Sequence, residues 1–485
     1  MNPLLPLNVY IPDGEPHVFG DRVYLYGSHD KEGGDRFCML DYEVWSAPIS
    51  DLSDWSCKGT SYKKVQDPHS INGKPVDFYA PDCVKGNDGK YYLYYVAMGP
   101  NTKNFGPMSV AVSDLPDGPF EYLGDVKYKD GTPVLNYLTN DPAVINDDGR
   151  IYLYYGWGLS RDFRSKLFSP VLNFVQSKLF KRSVKEIKNT KPSILSCAVV
   201  ELEEDMMTVK YEPKAVLDSK TTADKKSELY THAFYEAPSI RKFGDTYYLI
   251  YSSGYNNELA YATSKYPDKD FVYRGVLISN SDLGYKGNTQ RLAPAGTIHG
   301  SIEKINGEYY VFYHRCTHNT DYSRQACAER IKIEDDGLFK QVQVTSCGLD
   351  KFLVANGEYP AAIACVITNG KTRQITNRIG KYNMPNITHK GDQRFITDIG
   401  NKTLIGFRFF LFNGCIKVNF WLKGNGKGKM YVSTSERDKS VCAVDIHPSE
   451  EWNCYETEIT ASAIQPLFFY FEGKGSIEFY KFKLT

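Results

Sequence analysis

The sequence predicts an all-β chain, a five-bladed β-propeller followed by a β-sandwich of jelly-roll type. Three observations lead there. One turn-plus-strand phrase occurs five times, no amphipathic helix recurs between its copies, and the phrase stops after about Val344 while strand-like alternation continues.

The copies are Gly20-Asp21-Arg22-Val23-Tyr24-Leu25-Tyr26, Asp88-Gly89-Lys90-Tyr91-Tyr92-Leu93-Tyr94, Asp148-Gly149-Arg150-Ile151-Tyr152-Leu153-Tyr154, Gly244-Asp245-Thr246-Tyr247-Tyr248-Leu249-Ile250 and Asn306-Gly307-Glu308-Tyr309-Tyr310-Val311-Phe312. Each is a hairpin signal. Asp-Gly, Asn-Gly and Gly-Asp suit the positive φ of tight turns, and the aromatic and β-branched run after them suits a strand. Aligned on Tyr24, Tyr92, Tyr152, Tyr248 and Tyr310, the copies stand 68, 60, 96 and 62 residues apart. Radial repetition of four-stranded sheets at such spacing is a propeller, whereas a doubly wound parallel sheet needs a helix at every crossover. Residues 1–344 are assigned to this unit.

The longest interval carries the exception. From Arg161 to Lys191, Leu167, Val171, Phe174, Val175 and Leu179 fall at near-helical spacing, with nine basic residues against Asp162 and Glu186. This reads as a solvated loop or short helix inserted at the rim over about 160–195, with a membrane or acidic-partner surface as the rival reading. Residues 345–485 alternate in short stretches such as Ile416-Lys417-Val418-Asn419-Phe420 and Tyr480-Lys481-Phe482-Lys483-Leu484. That pattern suits an antiparallel sandwich with Phe407 to Phe412 in its core.

Composition narrows the partner. The 58 basic residues balance 58 acidic ones, so no electrostatic case exists for a nucleic acid or an anionic membrane. A neutral ligand such as a carbohydrate fits, and the 37 tyrosines offer rings for strand packing and for stacking on sugars. Met1-Asn2-Pro3-Leu4-Leu5-Pro6-Leu7 lacks a basic region and a small-residue cleavage site, so a cytoplasmic protein is expected. Eleven cysteines scattered from Cys38 to Cys454, without zinc-like spacing, read as buried reduced thiols.

Ten to twelve residues before each aligned tyrosine stands a group capable of chemistry: Asp13, Asp82, Asp141, Glu236 and His299. One strand ahead of each hairpin, these positions belong on the innermost strands, facing the propeller axis. Proline follows closely in Asp13-Gly14-Glu15-Pro16, Asp141-Pro142 and Glu236-Ala237-Pro238, which places the acid near a strand's mouth because proline supplies no ladder donor. Carboxylates crowded in a desolvated opening cannot all ionise, so one becomes an acid and another a base. Glycoside hydrolysis needs such a pair.

These phrases, with Tyr79-Ala80-Pro81-Asp82, Asn140-Asp141-Pro142 and His299-Gly300-Ser301, resemble glycoside hydrolase family 43 over about Asn2 to Val344. The resemblance implies an inverting, single-displacement mechanism with Asp13 as general base, Glu236 as general acid and Asp141 orienting the acid and tuning its pKa. It further implies that His299 approaches an axial, structural calcium ion through water and that Arg324 contacts substrate, no other cofactor being required. Two departures stand out: Glu15 is a substitute base where Asp-Pro is usual, and Phe78-Tyr79 replaces the family's common tryptophan. Arg315 competes with Arg324. Phe37, Phe78, Tyr79 and Trp157 are candidate sugar platforms, and Asp82 is a candidate substrate contact. The C-terminal unit resembles carbohydrate-binding module family 6. The implied function is an exo-acting α-L-arabinofuranosidase or β-xylosidase on plant-type oligosaccharides or glycosides, with galactose-releasing and internal arabinan-cleaving activities as family alternatives. The rivals from other classes are a silent, lectin-like propeller and a metal-held scaffold.

Overall fold

The computed structural model describes all residues except 72, 100–105, 161–168, 255–256, 374–381 and 440–441. Five antiparallel sheets follow one another along the chain. The first holds β1 (Glu15–Phe19), β2 (Arg22–Tyr26), β3 (Tyr42–Pro48) and β4 (Ser56–Tyr62). The second holds β5 (Asp77–Lys85), β6 (Tyr91–Met98), β7 (Met108–Ser113) and β8 (Glu121–Asp125). The third holds β9 (Ala143–Asp147), β10 (Arg150–Gly156), β11 (Ser196–Leu202) and β12 (Lys214–Asp218). The fourth holds β13 (Phe234–Phe243), β14 (Thr246–Ser253), β15 (Glu258–Ser264) and β16 (Val272–Ser279), and the fifth β17 (Ser301–Ile305), β18 (Glu308–Cys316) and β19 (Arg324–Ile331).

Every repeated phrase forms the hairpin between the first two strands of its sheet. At the last of them Asn306 and Gly307 have φ of 51° and 83°, the pair of left-handed residues that lets a two-residue turn follow the twist of its strands. The first strands, β1, β5, β9, β13 and β17, neighbour one another around a closed ring. This is a five-bladed propeller with its innermost strands about the axis. The N-terminal segment closes it: Leu4 N donates to Ala326 O at 2.9 Å, and the Asn2 amide accepts from Ala328 N at 2.9 Å and donates to Ala328 O at 3.0 Å.

The rim insertion between β10 and β11 holds two helices, α1 (Ser169–Leu179) and α2 (Val184–Asn189), the latter capped by Ser183 with Glu186 three residues on. Leu167 lies outside the described residues. Val171, Phe174 and Val175 stay exposed, while Phe180 and Ile187 pack with Leu138, Ile194 and Leu195. Phe180 stands edge-on to Trp157 with ring centroids 5.6 Å apart.

The remaining strands are β20 (Leu353–Val354), β21 (Gly357–Pro360), β22 (Val366–Thr368), β23 (Asn386–Lys390), β24 (Gln393–Ile399), β25 (Thr403–Gly424), β26 (Lys427–Ser433), β27 (Ala443–Ile446), β28 (Ser449–Lys474) and β29 (Ile477–Leu484). They form one hydrogen-bonded sheet that curls into two facing layers. Long strands β25 and β28 run through both: the first half of β25 pairs with β22 and its second half with β29. Phe407, Phe410, Phe412, Phe420, Phe469, Phe479 and Phe482 fill the space between, as their alternation implied.

The two units share a core. Ile298, Val311, Tyr313 and Cys327 of the propeller pack with Val366, Leu404, Phe468 and Tyr470 of the sandwich, and Arg408 makes a buried ion pair with Asp282. Seven cysteines are buried free thiols; Cys415 and Cys454 are exposed, and Cys57 and Cys442 half-buried, so burial explains most of them but not all.

Asn2 also donates to Glu329 Oε1 at 2.9 Å and to Thr345 O at 3.1 Å. Asn2→Ala strips partners from several buried groups and is expected to destabilise the chain by about 1–3 kcal/mol. Urea unfolding would show this, with the folded circular dichroism spectrum unchanged.

Candidate active site

At the opening of the propeller lies a cavity of about 320 Å³, lined by Asp13, Asp141 and Glu236 together with rings of Phe37, Tyr79, Trp157 and Tyr235. Strand mouths deliver the acids. Asp13 and Asp141 each stand two residues ahead of an inner strand, as His299 does ahead of β17. Glu236 lies inside β13, where pairing with β14 breaks between Glu236 and Ser239. Pro238 falls in the break, so no ladder donor is lost. Asp13, Asp141 and Ala237 all have left-handed backbone, φ 59°, 50° and 59°. Such strain, of order 1–3 kcal/mol per residue, persists only where the surroundings over-determine it.

Each acid has distinct partners. Asp13 Oδ1 accepts from Arg324 Nη1 at 2.8 Å and lies 3.2 Å from His314 Nδ1 and 3.9 Å from His299 Nδ1. Arg324 is itself held by Asp30, through Nε at 2.8 Å and Nη2 at 3.1 Å. Asp141 Oδ2 accepts from Ala237 N at 3.1 Å, one residue from the second acid. Glu236 Oε2 accepts from the Trp157 indole N–H at 3.0 Å.

These partners separate the protons. Burial alone raises the Asp13 carboxyl, but Arg324, with His314 and His299, outweighs it and holds Asp13 well below the usual carboxylate range. Burial pushes Asp141 up to about 6, with His299 opposing and Asp13 adding to the rise. Burial and the neighbouring Asp141 charge push Glu236 highest, to about 8, against the Trp157 hydrogen bond. At neutral pH the cavity therefore holds a fixed carboxylate and a carboxylic acid.

Of the residues singled out in the sequence, Asp13, Asp141, Glu236, Phe37, Tyr79, Trp157, His299 and Arg324 line the cavity. Asp82, Phe78, Glu15 and Arg315 lie elsewhere. The matching phrases Tyr79-Ala80-Pro81-Asp82 and Glu236-Ala237-Pro238-Ser239 explain Asp82: Tyr79 corresponds to Glu236, and Asp82 to the deeper Ser239. Asp82 meets His17 Nε2 at 2.6 Å and accepts from Val144 N at 2.7 Å, tying three blades together beneath the cavity. Glu15, two residues deeper than Asp13, accepts from Ser239 Oγ at 2.9 Å and Arg241 Nη2 at 3.0 Å, which removes it from the position of a base. Phe78 is wholly buried, stacked between Tyr42 and Tyr62. Arg315 turns to the sandwich, donating to Ala364 O at 3.0 Å.

Sequence reasoning missed Asp30, Met98, Tyr235, Thr297 and His314. His314 left a signal, a histidine directly after the aromatic and apolar run Tyr309 to Tyr313 of β18; Asp30 left none, because its partner is 294 residues away.

Calcium takes six to eight oxygen ligands, and among the described residues the axis groups two carboxylates, Glu15 and Asp82, with the imidazole of His17. Glu15 Oε1 faces His299 Nε2 at 3.7 Å, and neither has a hydrogen-bond partner among the described residues. The Arg241 guanidinium already supplies positive charge beside Glu15. Burial alone would lower His299, yet Glu15, Asp141 and Asp13 raise it to about 9, adding a second cation. The fit to a further cation is poor.

The sequence model of glycosyl hydrolases family 43 matches residues 2–339. A "Xylosidase/arabinosidase" of Thermoclostridium stercorarium is 39% identical over 500 residues, covering 100% of this chain and 98% of its own. "Xylosidase/arabinosidase 43A" of Humicola insolens is 29% identical over 351 residues, covering 70% of this chain and 98% of its own. Among solved structures, the GH43_1 enzyme from Xanthomonas citri complexed with xylose superposes with a TM-score of 0.52 at 25% identity, over 70% of this chain and 92% of that one.

Arg324→Ala leaves Asp13 buried without its cation, which is expected to cost about 3–5 kcal/mol near neutral pH. With Arg324 present, Asp13 stabilises the fold above its unfolded value of about 3.9 and loses that contribution only as pH falls through its lower folded value. Without Arg324 burial is opposed only by His314 and His299, so the folded value rises and the deficit against the parent protein is largest near neutral pH and closes as pH falls through that raised value. Urea unfolding across pH reads this sign directly.

Proposed function

The chain belongs to glycosyl hydrolases family 43, and from that premise we propose that it removes a terminal pentose, α-L-arabinofuranosyl or β-D-xylosyl, from plant-type oligosaccharides or glycosides. One observation carries the reading: three carboxylates around a single small cavity, one held charged and one held protonated by identified neighbours. A lectin-like site needs no such ordering. The names of its relatives support a pentose, and the cavity's modest volume supports an exo-acting enzyme that encloses one sugar.

The chemistry is a single displacement with inversion. Asp13 accepts a proton from a water whose oxygen attacks the anomeric carbon. Glu236 donates its proton to the glycosidic oxygen as the C–O bond breaks, so the leaving group departs as a neutral alcohol. Asp141 keeps Glu236 protonated by its charge and fixes the Glu236–Ala237 backbone through its hydrogen bond. Phe37, Tyr79, Trp157 and Tyr235 supply faces for the sugar ring.

Aryl glycosides of α-L-arabinofuranose and β-D-xylose are expected to be hydrolysed, and NMR of the first-formed anomer should show inversion. Glu236→Gln is expected to lower kcat/KM about 10²–10⁴-fold on substrates with poor leaving groups and much less on those with acidic phenols. Asp13→Asn should cripple both alike. Silence of the intact chain across the panel, with sugar binding retained, overturns the enzyme reading.

In the pH profile of kcat/KM the alkaline limb should fall near the Glu236 value of about 8. The Trp157 N–H favours the charged form, so Trp157→Phe is expected to move that limb to higher pH. The poor fit of the axis to calcium supports a metal-independent activity. Dialysis against EDTA is expected to leave both turnover and the thermal midpoint unchanged.

A further inference from the structure

We propose that Arg394 of the sandwich is a positioning residue for the sugar site, acting as a clamp on the connection between β2 and β3, which carries Phe37 to the cavity. This rests on the sugar-cleaving reading of that cavity.

Residues 27–41 leave blade one and touch three things at once. Near the base, Asp30 takes the Nε and Nη2 edge of the Arg324 guanidinium and also accepts from Cys38 N at 2.9 Å. On the cavity side, the Phe37 ring lies 4.6 Å from the same guanidinium and edge-on to Tyr322, with centroids 4.7 Å apart. At the tip, Glu32 meets Arg394 of β24 in a two-pronged pair, Nε to Oε1 at 3.0 Å and Nη2 to Oε2 at 2.8 Å.

The tip is built for that contact. The pair is mostly buried, with 13% and 16% exposure of the two side chains, and a fork-to-carboxylate geometry fixes orientation as well as distance. Tyr10 Oη donates to the same carboxylate at 3.1 Å. His389 of β23 lies beside it, with Nδ1 3.6 Å from Glu32 Oε1 and 2.8 Å from His318 Nε2 of the propeller. Gly33 has φ of 65°, and a Cβ there would lie 3.4 Å from the His318 ring, so the chain turns tightly over the imidazoles. Gly33 N then donates to Ser323 Oγ at 2.9 Å, one residue before Arg324. The sandwich thus grips the tip of a short segment that is also tied at Asp30 to Arg324, at Arg36 to Asp77 and at Cys38 O to Lys64 Nζ, with Phe37 between the last two.

Releasing the clamp loosens the tip, and through it the path of the chain that leads to Phe37, while Asp30 still holds Arg324 on Asp13. The loss therefore falls on sugar binding more than on the chemical step. Arg394→Ala is expected to raise KM for the hydrolysed aryl glycoside about fivefold or more with kcat kept within about twofold, the signature of lost uniform binding. Phe37→Leu should move KM in the same direction. Glu32→Gln should reproduce the Arg394→Ala effect, and the double variant should be no worse than either single one, since both remove the same contact. Lys481→Ala, which breaks the surface pair with Glu358 elsewhere on the sandwich, should leave KM unchanged.

Should Arg394→Ala not fold, Glu32→Gln alone decides the matter. Turnover with KM unchanged in Glu32→Gln, or strictly additive effects in the double variant, overturns the clamp. Absence of turnover in the intact chain overturns the underlying reading instead.

Discussion

Three carboxyl groups buried around one opening cannot all be charged, and the site is organised by how that conflict is resolved. Arg324 decides it. By compensating Asp13 it fixes one anion at the cavity, and the remaining charge and burial push Asp141 and then Glu236 toward the protonated state. The same guanidinium needs Asp30 to hold it, and Asp30 lies on a different connection from Asp13. The acid–base asymmetry is therefore a property of the closed ring of blades, not of any single motif.

Propeller architecture makes this possible because each inner strand delivers one residue to the mouth and the next inward residues to the axis. Asp13 and Glu15 illustrate the division: the first reaches the cavity, and the second, two residues deeper, joins Ser239 and Arg241 in tying blades together. Asp82 with His17 and Val144 performs the same service between other blades. Chemistry sits on top of a polar, cross-linked axis, and the left-handed backbone at Asp13, Asp141 and Ala237 is held by the strands beneath it.

The sandwich is not an appendage on this scaffold. Its strands share an apolar core with blades four and five, Arg408 pairs with Asp282, and Arg315 of the propeller reaches Ala364. Such burial gives the C-terminal unit a stake in the geometry of the adjoining loops, beyond any role it has in meeting carbohydrate. The rim insertion acts similarly, where Phe180, just after α1, stands edge-on to the indole of Trp157.

Much of this was legible along the chain because it is local. Turn chemistry such as Asn306-Gly307, period-two alternation through Phe407 to Phe412, and the recurrence of an acid or, once, a histidine ahead of each hairpin depend on near neighbours, so the five blades, the sandwich and Asp13, Asp141 and Glu236 could be read from them. Depth along a strand was not legible: a shift of two residues in the Ala-Pro phrase sends Asp82 to the axis and Tyr79 to the cavity, and only the pairing register reveals it. Nor were the roles of Asp30, His314 and Arg394, which arise from partners some three hundred or more residues away. The sequence by itself determined which blades form and where along the chain their inner strands begin, since hairpins and strand faces are set by adjacent residues. Tertiary structure alone decided which acid keeps its proton, because that depends on burial and on charges brought together only when the ring closes.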